Sequence, residues 1–302
     1  MSKIKSPLLS LGATGSLGKD TTYARRRRAN IVEKKPIPAY RRTLPQMYQR
    51  WDYQDAIFYW KALSDAQKAV WETNARPHHM TGFAYYMSYY LTNLPDLAGR
   101  WHLDGKAGAL AKDFSKNEND GTIIGASPAV GLIDGCLNFD GLNDYVIAPY
   151  KPSLSLANDW TLEAFVRQHV GQADVSGNII HRWFNYHLIV TNTQTIYTGF
   201  YDGLGWKSGW FANSVALDAW THLAAVWDNT AQSFDLYFNG DLDVVRPIGS
   251  SPDSTTIKPL CLGTLSGHNA NWFKGDIDHA TVYNSKLDPI LIKRHSERRY
   301  PL

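Results

Sequence analysis

Cysteine is nearly absent. Two thiols, Cys136 and Cys261, in 302 residues allow at most one bridge, which excludes a disulfide-framed small scaffold and a multi-cysteine zinc cluster. No apolar run approaches the roughly 18 residues that span a bilayer, so no membrane partner is expected. The apolar stretch Ser6–Ala13 is short and broken by Pro7, so export by a signal peptide is not expected either. Glutamate is scarce beyond residue 96, where only Glu118, Glu163 and Glu297 occur. Glu163 and Glu297 have no acidic neighbour at i+2, the strand spacing that would set two carboxylates on one face at the about 5 to 10 Å a glycosidase needs, and Glu118, with Asp120 at i+2, sits in the turn-like run Asn117-Glu118-Asn119-Asp120-Gly121. Asp241/Asp243 and Asp276/Asp278 do have that spacing, but the first pair follows a hairpin turn, where solvated charge is ordinary. Gly-rich phosphate loops and nucleophile elbows are missing too. No catalytic residues are assigned, and the chain is not expected to be an enzyme.

What is abundant is aromatic. Aromatic residues make up 13% of the chain, with eleven Trp and seventeen Tyr, against 44% apolar residues in all. That suits a β-rich fold with exposed ring platforms. The net charge of +3 conceals an asymmetry: the first fifty residues hold twelve Lys and Arg against two acidic residues. Arg25, Arg26, Arg27 and Arg28 are followed by Lys34, Lys35, Arg41 and Arg42, and such density calls for a polyanion or an acidic protein surface. No aromatic interleaving or groove-reading helix accompanies them, so sequence-specific DNA recognition is not expected. A clamp within an assembly is favoured, with nonspecific genome contact as the alternative.

Residues 1–44 show no sustained period and read as an extended basic arm. Residues 45–92 read as a small helical anchoring module. Thr43 and Pro45 open a first helix carrying Met47, Trp51, Ile57 and Trp60, Ser64-Asp65-Ala66-Gln67 is a capping box for a second, and Thr81 caps a third. Trp60, Trp71, Phe83 and Tyr86 are expected to form one aromatic cluster. After Asn93–Asp96 come short runs of β-branched and aromatic residues, among them Tyr145–Ala148, Trp160–Val166, Tyr186–Val190, His222–Trp227, Phe234–Phe238 and Ala280–Tyr283. These predict an antiparallel sandwich, with Asn239-Gly240 as a hairpin turn. Residues 293–302 read as a basic tail. The ten histidines are scattered, without a helical His-x-x-x-His, and are read as structural.

Several ordered motifs carry a resemblance over residues 97–292. Gly99-Arg100-Trp101-His102-Leu103-Asp104 leads to Asp113-Phe114-Ser115, Asn119-Asp120-Gly121 and Leu137-Asn138-Phe139-Asp140-Gly141. Trp220–Asp228, Leu236–Gly240, Leu260–Gly263 and Phe273–Asp278 follow. In this order the region resembles the laminin-G-like, concanavalin A-like jelly-roll family. The resemblance implies a mainly β jelly-roll sandwich and one calcium, with Asp113, Asn119 and Asp278 as ligands and Asp276 as substitute; Asp276-Ile277-Asp278 is a structural motif of the family.

Ser6–Ser10, Gly15–Gly18, Pro38, Trp60–Ser64, Lys68–Trp71 and Met80–Phe83 make the first region similar to a module of tailed-phage virion proteins. That resemblance implies a structural, capsid- or tail-decorating protein in multiple copies, assembled in the host cytoplasm and bound to major capsid or tail proteins.

For surface glycans, the stretch Tyr197–Phe211 offers Tyr201, Trp206 and Trp210 around a Gly-rich turn, where flat rings suit sugar stacking. Alternation along the strand points Trp210 toward the core instead. A carbohydrate-binding adhesin is the alternative to virion decoration.

Overall fold

The computed structural model describes residues 15–17, 21–26, 29–34, 44–93, 96–104, 110–266 and 270–298, with backbone alone at 15–34 and 44–45. The chain divides into two compact units, Met1–Thr43 and Leu44–Leu302. In the first, β1 (Gly15–Leu17), β2 (Thr21–Arg26) and β3 (Ala29–Lys34) form an antiparallel sheet. The region read as an extended basic arm thus holds paired strands among its described residues. Thr21, Thr22 and Tyr23 lie opposite Lys34, Glu33 and Val32; β-branched and aromatic residues suit the pleat, and pairing satisfies backbone groups otherwise left to water. Arg25, Arg26 and Lys34 are strand residues, whereas Arg27, Arg28, Lys35, Arg41 and Arg42 lie outside the described residues.

The second unit opens with α1 (Leu44–Ala62), α2 (Asp65–Ala75) and α3 (Gly82–Asn93). The capping box forms: Gln67 N–H donates to Ser64 Oγ (3.3 Å) and Ser64 N–H to Gln67 Oε1 (2.8 Å). Thr81 Oγ1 accepts from Ala84 N–H at 3.2 Å, and Trp60 packs on Phe83 and Tyr86 at 5.5 and 5.2 Å, with Trp71 on Tyr86 at 5.0 Å.

Two antiparallel sheets follow. The first runs β17 (Asp241–Pro247), β16 (Ser233–Phe238), β15 (Thr221–Asp228), β10 (Trp160–Gln168), β19 (Lys274–Tyr283), β8 (Gly135–Asp140) and β7 (Ser127–Val130), with β4 (Leu97–Trp101) also paired to β19. The second runs β14 (Trp206–Ser214), β13 (Thr195–Tyr201), β12 (Tyr186–Thr191), β11 (Ser176–Arg182), β18 (Leu260–Leu262), β9 (Tyr145–Ala148), β6 (Gly121–Ile124) and β5 (Leu110–Ala111). The turn between β16 and β17 is Asn239-Gly240, with φ of 53° and 83°, values that Asn and Gly tolerate best. Between the sheets lies one core that includes the fully buried Trp101, Trp160, Trp227, Phe200 and Phe234. Each such large side chain contributes about 1.5–3 kcal/mol.

The outer face of the first sheet is covered as well. One stripe of α1 meets it: Tyr48 stacks on His102 (3.6 Å) and lies 5.0 Å from His279, Asp52 pairs with Arg100 (2.7 Å), and Asp55 faces His295 (3.3 Å). The spacing 48, 52, 55 is one helical face. Strands β10, β15 and β19 are consequently buried along nearly their whole length, the pattern of a sheet packed on both sides. The helical segment and the sandwich thus share one compact unit. The expected basic tail is corrected too: Asp288 caps α4 (Pro289–Ser296), and both His295 on that helix and Arg298 beyond it are buried.

Candidate functional site

The residues singled out for glycan contact come together at one edge of the second sheet. Tyr201 lies opposite Trp206, and Tyr197 opposite Trp210, on the hairpin β13–β14. Side chains alternate along a strand. Phe211 takes the inward position and is buried, and a Cβ at Gly209 would meet Phe234 at 2.8 Å on the core side. Trp206, Ser208 and Trp210 therefore face outward. Trp210 is 47% exposed, which corrects the expectation that it turns into the core.

On that outer face the rings form a continuous series. Trp210 lies on Tyr197 (4.5 Å), Tyr197 meets His187 (5.3 Å), His187 meets Trp206 (4.5 Å), Trp206 meets Tyr201 (5.9 Å), and Tyr201 meets Phe184 (4.9 Å). Trp183 adds a ring 6.4 Å from Trp206. Gly199, midway between the two ring pairs, has no room for a side chain: a Cβ would lie 2.4 Å from the Lys207 carbonyl, 2.8 Å from His187 Nε2 and 2.9 Å from Ser208 Oγ. The absence of a side chain there lets the His187 ring fill the space between the pairs.

Both histidines beneath this face are neutral. Burial drives the His181 pKa down to about 3 and that of His187 well below the imidazole range. Ser266 N–H donates to His181 Nδ1 (3.2 Å), which leaves the ring proton on Nε2. His187 Nε2 is buried between the ring pairs and has no hydrogen-bond partner. Sequence reasoning missed His187, Trp183 and Phe184, because only the pairing of β11, β12 and β13 brings them beside Trp206. The register His187 opposite Gly199 is the signal, a bulky ring beside a position that carries none.

The expected calcium ligands are not brought together as a set. Asp113 is buried, and its oxygens accept from Arg100 N–H (2.9 Å), Ser115 N–H (2.8 Å), Ser115 Oγ (2.6 Å) and Asn119 N–H (2.7 Å). The Asn119 amide donates to the Ala98 carbonyl (2.8 Å) and Ser153 Oγ (3.1 Å). Both tie β4 to the loop beyond it, as turn residues do. Asp276 is held by Asn138 Nδ2 (2.8 Å), Arg167 Nε (2.7 Å) and His169 Nε2 (2.9 Å).

Asp278 differs. Its Oδ2 accepts from Leu132 and Ile133 N–H, both at 3.0 Å, while Oδ1 is buried without a partner. Burial, with Asp104 and Asp134 adding to it, holds this carboxyl well above the usual range. Among the described residues no three His, Cys, Asp or Glu side chains are grouped to hold a metal.

A second cluster lies under α1. His295 Nδ1 is 2.9 Å from Glu163 Oε2, its Nε2 is 3.3 Å from Asp55 Oδ2, Arg298 also binds Asp55, and His222 Nε2 is 3.5 Å from Glu163 Oε1. All five side chains are buried. Substrate has no access to these carboxylates while the helix is docked, so the cluster is a structural clasp.

Comparison with known proteins matches this geometry at the level of the fold. A laminin-G family model, described as the concanavalin A-like lectin/glucanases superfamily, matches residues 139–293. The expected span began at 97, and β4 to β7, ahead of the matched residues, complete the same two sheets. No curated protein matches the chain by sequence. Domain 4 of AbnA, a GH43 extracellular arabinanase from Geobacillus stearothermophilus solved with arabinotriose, is similar at a TM-score of 0.53 and 18% identity, covering 67% of this chain and 98% of that one. The binding domain of Paraclostridial Mosquitocidal Protein 1 gives 0.55 and 14%, over 67% and 52%, and the receptor binding domain of botulinum neurotoxin mosaic serotype C/D gives 0.52 and 14%, over 67% and 50%. The chain spans about half the length of these toxin domains, and at such identities the likeness is one of fold. From the matched family model and the two-sheet architecture together, the chain belongs to the concanavalin A-like lectin/glucanases superfamily.

Proposed function

We propose that the protein is a non-catalytic glycan-binding protein, displayed on a tailed-phage virion by its first 93 residues. The observation that carries the binding half is the outward series of rings from Trp210 to Phe184. Flat, partly exposed rings beside hydroxyls suit the apolar face and the hydroxyl rim of a sugar. The arabinotriose bound to the similar arabinanase domain and the binding roles in the toxin titles support the same reading. Sequestered acids support a non-catalytic role, since Asp276 is locked by Arg167, His169 and Asn138, and Glu163 is buried. Glycan-array binding by the full chain tests it: hits are expected, and Trp210→Ala is expected to weaken them without turnover of any bound glycan.

The virion half rests on the motifs of the first region and on twelve basic residues against two acidic in the first fifty. Capsid or tail proteins are the proposed partners, and co-sedimentation with particles lacking this protein is the test. Neutralising Arg25 to Arg28 is expected to weaken attachment, and salt is expected to do the same to the unaltered chain.

For calcium, the observation in favour is the orphaned Oδ1 of Asp278 near Asp104 and Asp134. An ion held there would draw its remaining oxygens from backbone carbonyls and water. Thermal melting with calcium or with a chelator tests this, a stabilisation absent from Asp278→Asn being the expected result.

A further inference from the structure

Apart from Trp183 and Phe184 in the turn before β12, the ring face belongs to β12, β13 and β14, whose 22 residues include one Lys and no Arg, Asp or Glu. That residue, Lys207, alternates away from Trp206 and Ser208, and its Nζ lies 3.3 Å from Asp202 Oδ2. Asp202 in turn accepts from Leu204 and Gly205 N–H at 3.0 and 2.9 Å. The two histidines beneath the face are held neutral by burial. Arg246 of β17 donates its Nε to the Trp210 carbonyl at 2.8 Å beside this edge strand, but the ring strands themselves offer a sialylated or uronic-acid glycan no other cation, and a carboxylate set down on them would lose its water with little compensation.

The rings also form two stations instead of one. Tyr197–Trp210 and Tyr201–Trp206 are separated by four residues along β13 and β14, roughly 13 Å at a strand rise of about 3.3 Å per residue. Between them lie Gly199, Ser208 Oγ and the buried, unpartnered His187 Nε2. One monosaccharide can stack on either pair but cannot reach both.

We infer that this face selects an uncharged oligosaccharide chain long enough to stack on both ring pairs at once. The inference rests on the glycan-binding reading and narrows it to a substrate class. Affinity then grows with chain length, because the second ring pair adds contact without a second association cost.

The test uses the full chain on an array that carries neutral gluco-, manno-, galacto- and arabino-oligosaccharides of graded length from the monosaccharide upward, beside sialylated glycans and polygalacturonate. Binding is expected in a neutral series only, rising at least about tenfold between the monosaccharide and the longest chains, with Trp210→Ala cutting long-chain binding by about tenfold. Trp210 is 47% exposed, so this variant keeps the core, and the length series on the unaltered protein needs no variant. Equal or stronger binding of the anionic glycans, or a monosaccharide bound as tightly as the longest chain, would overturn the inference while leaving glycan binding standing. Silence across the whole array would overturn the glycan-binding reading itself.

Discussion

Removing the Asp55 carboxylate is expected to be among the most damaging single changes in the chain. His295 has a carboxylate at each ring nitrogen, Glu163 at 2.9 Å and Asp55 at 3.3 Å, and only an imidazolium can donate at both ends. Burial and Arg298 press its pKa down, yet Glu163 and Asp55 carry it above the ordinary value. Burial alone would raise the Asp55 pKa, and Arg298, His295 and Arg294 hold it below. Asp55 and Glu163 therefore balance His295 and Arg298 inside the protein. Asp55→Ala leaves one positive charge in excess there, at a cost of about 3–5 kcal/mol, a large part of the 5–15 kcal/mol typical of a domain.

Urea unfolding of the full chain is the assay, and the double variant Asp55→Ala/Arg298→Ala is expected to lose less than the two single losses combined. The pH dependence has a definite sign. Because the folded pKa of His295 is raised, its contribution is complete below about 6.5 and is lost as pH rises through the folded value. The gap between the unaltered chain and His295→Gln should accordingly narrow at alkaline pH. A loss under about 1 kcal/mol for Asp55→Ala, or a gap that widens with pH, would refute the account of the clasp.

The other buried histidines carry the opposite sign. Burial lowers the pKa of His102, His181, His187, His222 and His279, so each contributes stability that is present above about 6.5 and lost below it, at about 1.4 kcal/mol per pH unit per group. Five such groups outweigh His295, and thermal midpoints should fall steeply between pH 7 and pH 5; a flat profile would show that these rings take up protons without unfolding. Cys136 and Cys261 are buried thiols whose pKa is pushed up to about 12, chiefly by burial. Neither should react with a thiol reagent until denaturant is added, and rapid labelling of the native chain would place one of them at the surface.

Much of the fold was legible because local rules and the core agree. The capping box at Ser64, the Asn239-Gly240 turn and the run Tyr145–Ala148 fall where patterning put them. The strands β2 and β3 were not legible, because their basic and small residues hide the pairing of Thr21–Tyr23 with Val32–Lys34. The stripe of α1 that meets the first sheet was hidden for a related reason: Asp52 and Asp55 occupy positions where an apolar residue is the usual signal, and their partners Arg100, His295 and Arg298 stand far along the chain. On the ring face, Tyr201 and Trp206 were visible from spacing, Trp210 was expected to turn inward, and His187 and Phe184 enter through strand pairing alone. Asp113 and Asn119 bond to nearby backbone, and an Asp or Asn in a turn looks the same in sequence whether its oxygens hold an ion or the local backbone.

The two sheets divide the work by what covers their outer faces. On the first, α1 lies over β10 and β19, and His102, Glu163, His279 and His295 are each at most 5% exposed. Groups that carry charge or ring nitrogens there are committed to holding the helix, and a ligand could reach them only by displacing it. On the second sheet, Trp206, Ser208 and Trp210 of β14 face away from the core, Trp210 exposed and the other two half-buried. Large rings facing water in a chain that can bury Trp101, Trp160 and Trp227 completely are not a failure to fill a core. Charge supports the same division. The helix-covered face concentrates ionisable groups, where pairing fixes the position of α1, and the open face has almost none, so contacts made there depend on ring stacking and hydroxyl hydrogen bonds. Binding on the second sheet should therefore be nearly insensitive to salt, whereas any attachment made through the basic residues near the amino terminus should weaken with it. Measuring both on one preparation separates the two surfaces without a single substitution.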